Sequence, residues 1–255
     1  MSIGFPCTSF RAVRVLLAMV LAAPCAAPFA IAADAATTGA AVQQAYLAGN
    51  SAEVTRLVRD TAAWDKSADA NELYARAFVQ FRALQLALAA KNDDLAEKSG
   101  TACVTALDAA VKRQPRFAEA FALQSACYGY MANLGGFGAI RNGSRSGKSI
   151  ESALLLDMKS PRVIMIDGFG LYFRPKFVGG DPAKGCARFR EAASAFDAGA
   201  GQNGPAGIAW GHAEAHYWVG RCAQTAGDAA GAKRAFARAL ELEPGFAAAR
   251  KRAGS

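Results

Sequence analysis

Histidine is nearly missing from this chain: two in 255 residues, His212 and His216. A nucleophile, base and orienting group that must meet in space have only this one short segment to draw an imidazole from. No Gly-x-Ser-x-Gly turn is there to present a serine, and no Cys-x-x-Cys pair to run dithiol chemistry. Strand-like alternation of β-branched residues is scarce, which leaves little from which to build a sheet. Basic residues are scattered apart from the terminal Arg250, Lys251 and Arg252, so the formal charge of +8 outlines no nucleic-acid footprint. No enzyme, nucleic-acid partner or cofactor is expected. Paired carboxylates remain a third-ranked hydrolytic reading, but Glu191, Glu241 and Glu243 are more simply solvated helix faces.

One stretch imitates a phosphate-binding loop. "GSRSGKS" (143–149) ends in Gly-Lys-Ser, yet Gly143 stands one residue too close to Gly147, and the correctly spaced position is Asn142. Such a loop must also follow a buried strand, and none precedes it. The segment is expected to be a glycine-rich inter-helix loop in which Lys148 and Ser149 open the next helix, with no nucleotide bound.

The N-terminus carries Arg11 and Arg14, then no charge from Val15 to Ala33, with small residues around Ala30-Ile31-Ala32. This is the pattern of a secretory signal over residues 1–32, cut after Ala32, and it places the mature chain in a periplasm or cell envelope. The competing reading is an uncleaved anchor, weakened by Pro24 and Pro28; only then is a membrane a partner. Cleavage removes two arginines and no acid, so the mature domain, 33–254, stays mildly basic. Cys7 and Cys25 leave with the signal, and Cys103, Cys127, Cys186 and Cys222 remain. An even number in an oxidising compartment permits disulfides, with four buried thiols as the alternative.

Alanine is abundant, and apolar residues recur at helical spacing, as in "ELYARAFVQFRALQLALAA" (72–90). Two pairs of segments repeat. "GDPAKGCARFREA" (180–192) matches "GDAAGAKRAFARA" (227–239), and "AEAFALQSAC" (118–127) matches "AEAHYWVGRC" (213–222). These residues resemble the tetratricopeptide repeat, a helix-turn-helix unit that stacks into a superhelix. The last unit is most similar: Gly220 in the first helix, Gly227-Asp228 at the turn, Ala232, Phe236 and Ala239 in the second helix, Pro244 at the exit. Pro115 closes an earlier unit, Gly49 opens the second helix of a degenerate one, residues 161–197 give a further pair, and "FAAARKRA" caps the end. The fold class is therefore all-α, with about four to five antiparallel hairpins. Three glycine-bearing insertions, at 134–147, 174–181 and 198–210, depart from the repeat pattern.

The resemblance carries further implications. A second helix neighbours the first helix of the following unit, which brings Cys186 towards Cys222 and Cys103 towards Cys127. Arrays of this family take up a peptide or protein partner in a concave groove lined by first helices. The groove residues so implied are Glu72, Arg76, Glu119, Tyr130, Arg162, Phe169, Glu214, Tyr217 and Arg221. The insertions, with Phe137, Phe173 and Phe177, form a second candidate contact surface. The leading expectation is a non-catalytic binding scaffold; the alternative is a small-ligand-binding accessory of an uptake system.

"HAEAH" places His212 and His216 on one helix face at a spacing suited to a metal. Glu214, two residues on, points about 200° away round the helix, unlike the glutamate of a zinc protease. A third ligand would have to be a carboxylate or a cysteine brought from elsewhere, and no metal is expected.

Overall fold

The computed structural model describes Met1 and residues 27–254, with side chains from Ala35 onward; the described residues form helices and turns and no strand. The export signal expected over 1–32, with Cys7 and Cys25 and its rival reading as an anchor, lies for the most part outside them. Five antiparallel hairpins follow in chain order. They are α1 (Ala27–Leu47) with α2 (Ser51–Asp60), α3 (Ala70–Ala89) with α4 (Asp93–Arg113), and α5 (Ala118–Asn133) with α6 (Gly138–Leu156). Next come α7 (Pro161–Phe173) with α8 (Pro182–Asp197), and α9 (His212–Thr225) with α10 (Ala229–Leu242), before α11 (Ala247–Ala253) closes the end. The chain is thus an all-helical, tetratricopeptide-like array.

A common turn chemistry starts four of the second helices. Asn50, Asn92, Asp181 and Asp228 each accept a hydrogen bond from an orphan N–H in the first turn that follows. The residue before the cap adopts a left-handed conformation at Gly49, Lys91 and Gly227 (φ 73°, 56° and 78°), which reverses the chain between antiparallel helices.

Within a hairpin, close approach depends on glycine facing phenylalanine. A Cβ added at Gly220 would stand 2.6 Å from the Phe236 ring, and one at Gly168 would stand 2.9 Å from Phe189. Both rings are fully buried, so each fills the space its glycine leaves. Between hairpins, Cys103–Cys127 joins α4 to α5 and Cys186–Cys222 joins α8 to α9. Each disulfide staples a second helix to the first helix of the next unit, as the repeat register implies.

The segment 143–149 departs from expectation. It lies inside α6, which begins at Gly138 rather than near Lys148. Its backbone N–H groups are therefore spent in the helix ladder. The inward face of α6 explains why a glycine-rich stretch stays helical. Ser146 Oγ donates to Ser125 O at 2.9 Å, Ser125 Oγ donates to Ser146 O at 2.9 Å, and Ser149 Oγ donates to Gln124 at 2.7 Å. Tertiary hydrogen bonds to α5 outweigh poor intrinsic propensity.

Candidate functional site

The face lined by the first helices is covered from within the chain. The insertion between α8 and α9 folds inward and buries Ile208 and Trp210. Trp210 packs against Phe78 and Phe81 of α3, with ring centroids 5.4 and 6.3 Å apart, and its Nε1 donates to Tyr74 Oη at 3.1 Å. Arg162, 1% exposed, donates to Trp210 O at 2.9 Å and to Gly201 O at 2.7 Å, fastening the insertion to α7. The insertion also lies on α1: a Cβ at Gly39 would stand 2.4 Å from the Ile208 side chain, so glycine leaves the space that this side chain fills.

α1 joins the first unit to the last. Gln43 Nε2 donates to Glu214 Oε1 at 2.9 Å, and Gln44 Nε2 donates to Glu243 at 2.8 Å. Leu47 enters an apolar cluster with Ala213, Ala239, Phe246 and Ala249. At the centre of this closure sits Arg82, which sequence reasoning missed. Its Nη2 donates to Glu214 Oε1 at 2.5 Å and to Gln43 Oε1 at 2.6 Å, and its guanidinium lies over the rings of Tyr46, Phe78, Phe81 and Trp210 at 4.2–5.5 Å. Nothing local marks Arg82 as buried; besides Gln85 three residues on, its partners lie 39 and 132 residues away.

The nine residues implied for the groove all hold internal partners. Arg76, Arg162 and Glu214 are buried. Arg76 clasps Asp65, Thr61 Oγ1 and Val58 O; Glu72 accepts from Ser67 Oγ; Glu119 accepts from Ser160 Oγ at 2.9 Å. Tyr130 bonds Gln85, Arg221 donates to Tyr217 Oη at 3.3 Å, and Phe169 sits among Phe173, Phe189 and Trp218. Burial raises the Glu119 carboxyl above its ordinary value, against the opposing pull of the Arg162 charge and the Ser160 hydrogen bond. Its Oε2 has no hydrogen-bond partner among the described residues.

Two other surfaces stand open. Phe137, Ile140, Phe173, Phe177 and Val178 project into solvent from the turn regions of two successive hairpins. Between α8, α9 and α10 lies an open cavity of about 750 Å³ lined in part by Arg190, His216, Arg234 and Arg238, with the Cys186–Cys222 disulfide in its wall.

No family model matches the chain, and no curated protein matches it. Solved structures do. A thermophilic TPR protein of Thermus thermophilus is similar over 88% of this chain and 97% of its own, with a TM-score of 0.55 at 16% identity. The HusA haemophore of Porphyromonas gingivalis is similar over 72% of this chain and 92% of its own, with a TM-score of 0.55 at 17% identity. Both likenesses concern the fold.

Proposed function

We propose that this chain is an exported scaffold that binds a protein partner through the edge carrying its exposed turn residues. One observation carries the proposal: the inner face is already occupied by α1 and the 198–211 insertion, while large apolar side chains are exposed at Phe137, Ile140, Phe173, Phe177 and Val178. Arg141, Arg145 and Lys176 stand among them, and no acid occurs from Leu134 to Ile150 or from Gly168 to Gly180. A segment with apolar anchors and acidic flanks complements that edge. Of the nine groove residues, Arg76, Arg162 and Glu214 are buried and the other six are partly exposed, so the nine form a second, less accessible contact set. Two disulfides fit an oxidising compartment, and the N-terminal pattern supports a periplasm or cell envelope for the mature domain, 33–254.

The test is capture of partners from an envelope extract with the wild type and with a Phe137→Ser/Phe177→Ser variant. A protein retained by the first and lost by the second supports the edge. Equal recovery by both refutes it.

A second reading is receipt of a small anionic ligand in the cavity between α8, α9 and α10. Three arginines and His216 favour it, and the haemophore is an example of a similar fold in a protein named for a small ligand. Titration with haem, followed by absorbance, checks this reading; an unchanged spectrum rejects haem as that ligand.

A further inference from the structure

The third ligand that the sequence could not supply is present in the fold. Asp197 ends α8, His212 opens α9, and His216 follows one turn on; one ligand atom from each lies within 4.8 Å of the others. Asp197 bonds both imidazoles, at 2.9 Å to His212 Nε2 and 3.1 Å to His216 Nε2. Both rings therefore turn the same nitrogen to one point. We infer that Asp197, His212 and His216 form a binding site for a divalent transition metal ion, of which zinc is the representative, and that the ion clamps the two ends of the 198–211 insertion.

The chemistry of the set suits such an ion. Two neutral imidazoles and one carboxylate match the preference of borderline metals for nitrogen with one hard oxygen. A tetrahedral ion with bonds of about 2.1 Å holds its ligands about 3.4 Å apart, so small side-chain rotations suffice. The rings are preorganised. His212 stacks on Phe196 with centroids 5.2 Å apart and planes at 17°, and the helix sets the two histidine rings 5.5 Å apart. His216 is mostly buried at 12% exposure, and Asp197 is open at 41%, so an ion has a path in and room for a water ligand.

One cation competes. Arg238 Nη2 lies 3.3 Å from Asp197, but its Nη1 also pairs with Glu241 at 3.1 Å, which gives it somewhere to remain when an ion takes the carboxylate. No other imidazole occurs in the chain, and the cysteines Cys103, Cys127, Cys186 and Cys222 are held in disulfides. Zinc uptake by the mature domain, 33–254, which lacks Cys7 and Cys25, therefore reports this cluster without interference from thiolates or further histidines.

The geometry also gives the ion a structural consequence. Asp197 stands at the start of the insertion that covers the inner face, and His212 stands at its end. A bound ion closes that loop at its base, which reduces the freedom with which Ile208 and Trp210 leave their seats. The site and the cover are thereby coupled.

Isothermal titration of the untagged mature domain with Zn²⁺ tests the inference, with hydrogen exchange of residues 198–211 followed in parallel. The expected result is one equivalent bound, with slower exchange in the insertion. Asp197→Asn weakens binding about ten-fold or more, and His212→Gln/His216→Gln abolishes it. Arg238→Ala, which frees the carboxylate, strengthens it and shows that weakening in the other variants is not general damage to the fold. The inference is overturned by absence of saturable uptake in the wild type, or by uptake that survives the double histidine substitution. This outcome is independent of the partner-capture experiment, because the scaffold reading requires no metal.

Discussion

Glu214→Ala is the substitution from which the closure of the array is best measured. Arg82 and Glu214 have side chains 2% and 7% exposed, and Glu214 also accepts from Gln43 Nε2 and from Gly211 N–H at 3.0 Å. Truncation therefore strands a buried guanidinium and removes the acceptor for two further donors. Breaking a buried pair from one side costs about 3–5 kcal/mol, and the two donors left without their acceptor place this case towards the upper end. In a domain of this size that corresponds to a fall in Tm on the order of 10 °C. Arg82→Met leaves Glu214 with its other two donors and the side chain's apolar contacts largely replaced, so it costs less than Glu214→Ala. The double variant Arg82→Met/Glu214→Leu buries no charge and recovers most of the loss. Urea denaturation of the four proteins closes the cycle, with a coupling of about 2 kcal/mol or more expected for groups in direct contact. Costs that simply add, or a Glu214→Ala loss below about 1 kcal/mol, would show that this pair does not hold the first and last units together.

Three further outcomes follow from particular contacts. Gly220→Ala puts a methyl 2.6 Å from Phe236 and is expected to cost about 1–3 kcal/mol, much of it restored by Phe236→Leu; thermal unfolding decides, and a neutral Gly220→Ala refutes the close approach. Each disulfide closes a span of 24 or 36 residues, so replacing either pair by serine costs about 3.5 kcal/mol on the loop-entropy account; non-reducing peptide maps of the wild type should show 103–127 and 186–222 linked and no other pairing. Glu119 binds its proton more tightly folded than unfolded, so its contribution is fullest below about pH 4.3 and is lost as pH rises through the raised folded value. Glu119→Gln removes that dependence, and its stability relative to the wild type should improve from acid towards neutral pH; the opposite slope would refute the assignment.

How much of this was legible in the chain depends on whether a feature is local. The cap residues Asn50, Asp181 and Asp228 stand beside glycines in the sequence, and the turns they make need nothing from elsewhere. The Gly220 and Phe236 contact, and the register that joins Cys186 to Cys222, are what the resemblance to the tetratricopeptide repeat implies. What stayed hidden depends on distance along the chain. The insertion "AGAGQNGPAGIAW" reads as a loop by composition, and it is one by conformation, but Trp210 meets Tyr74 across 136 residues. The first half of α6 reads as a loop because of Gly143 and Gly147, and becomes a helix because Ser146 and Ser149 bond α5. Asp197 had no sequence mark linking it to the two histidines, since the insertion separates them along the chain and the fold brings them together.

Closure changes what kind of array this is. In an open solenoid each unit touches only its neighbours, so stability is a sum of local terms and the ends fray independently. Here Gln43 and Gln44 reach the last unit, Leu47 joins the cluster of Phe246, and the insertion before α9 inserts Trp210 against α3. A disturbance at α9 is therefore felt at α1, more than 160 residues away in sequence. The same contacts that deny a ligand the inner face make that face the hub linking first and last units. On the function proposed above, such an arrangement turns recognition outward, to the exposed turns and the cavity between α8 and α10, and leaves the inner helices to hold the shape in which those surfaces are presented.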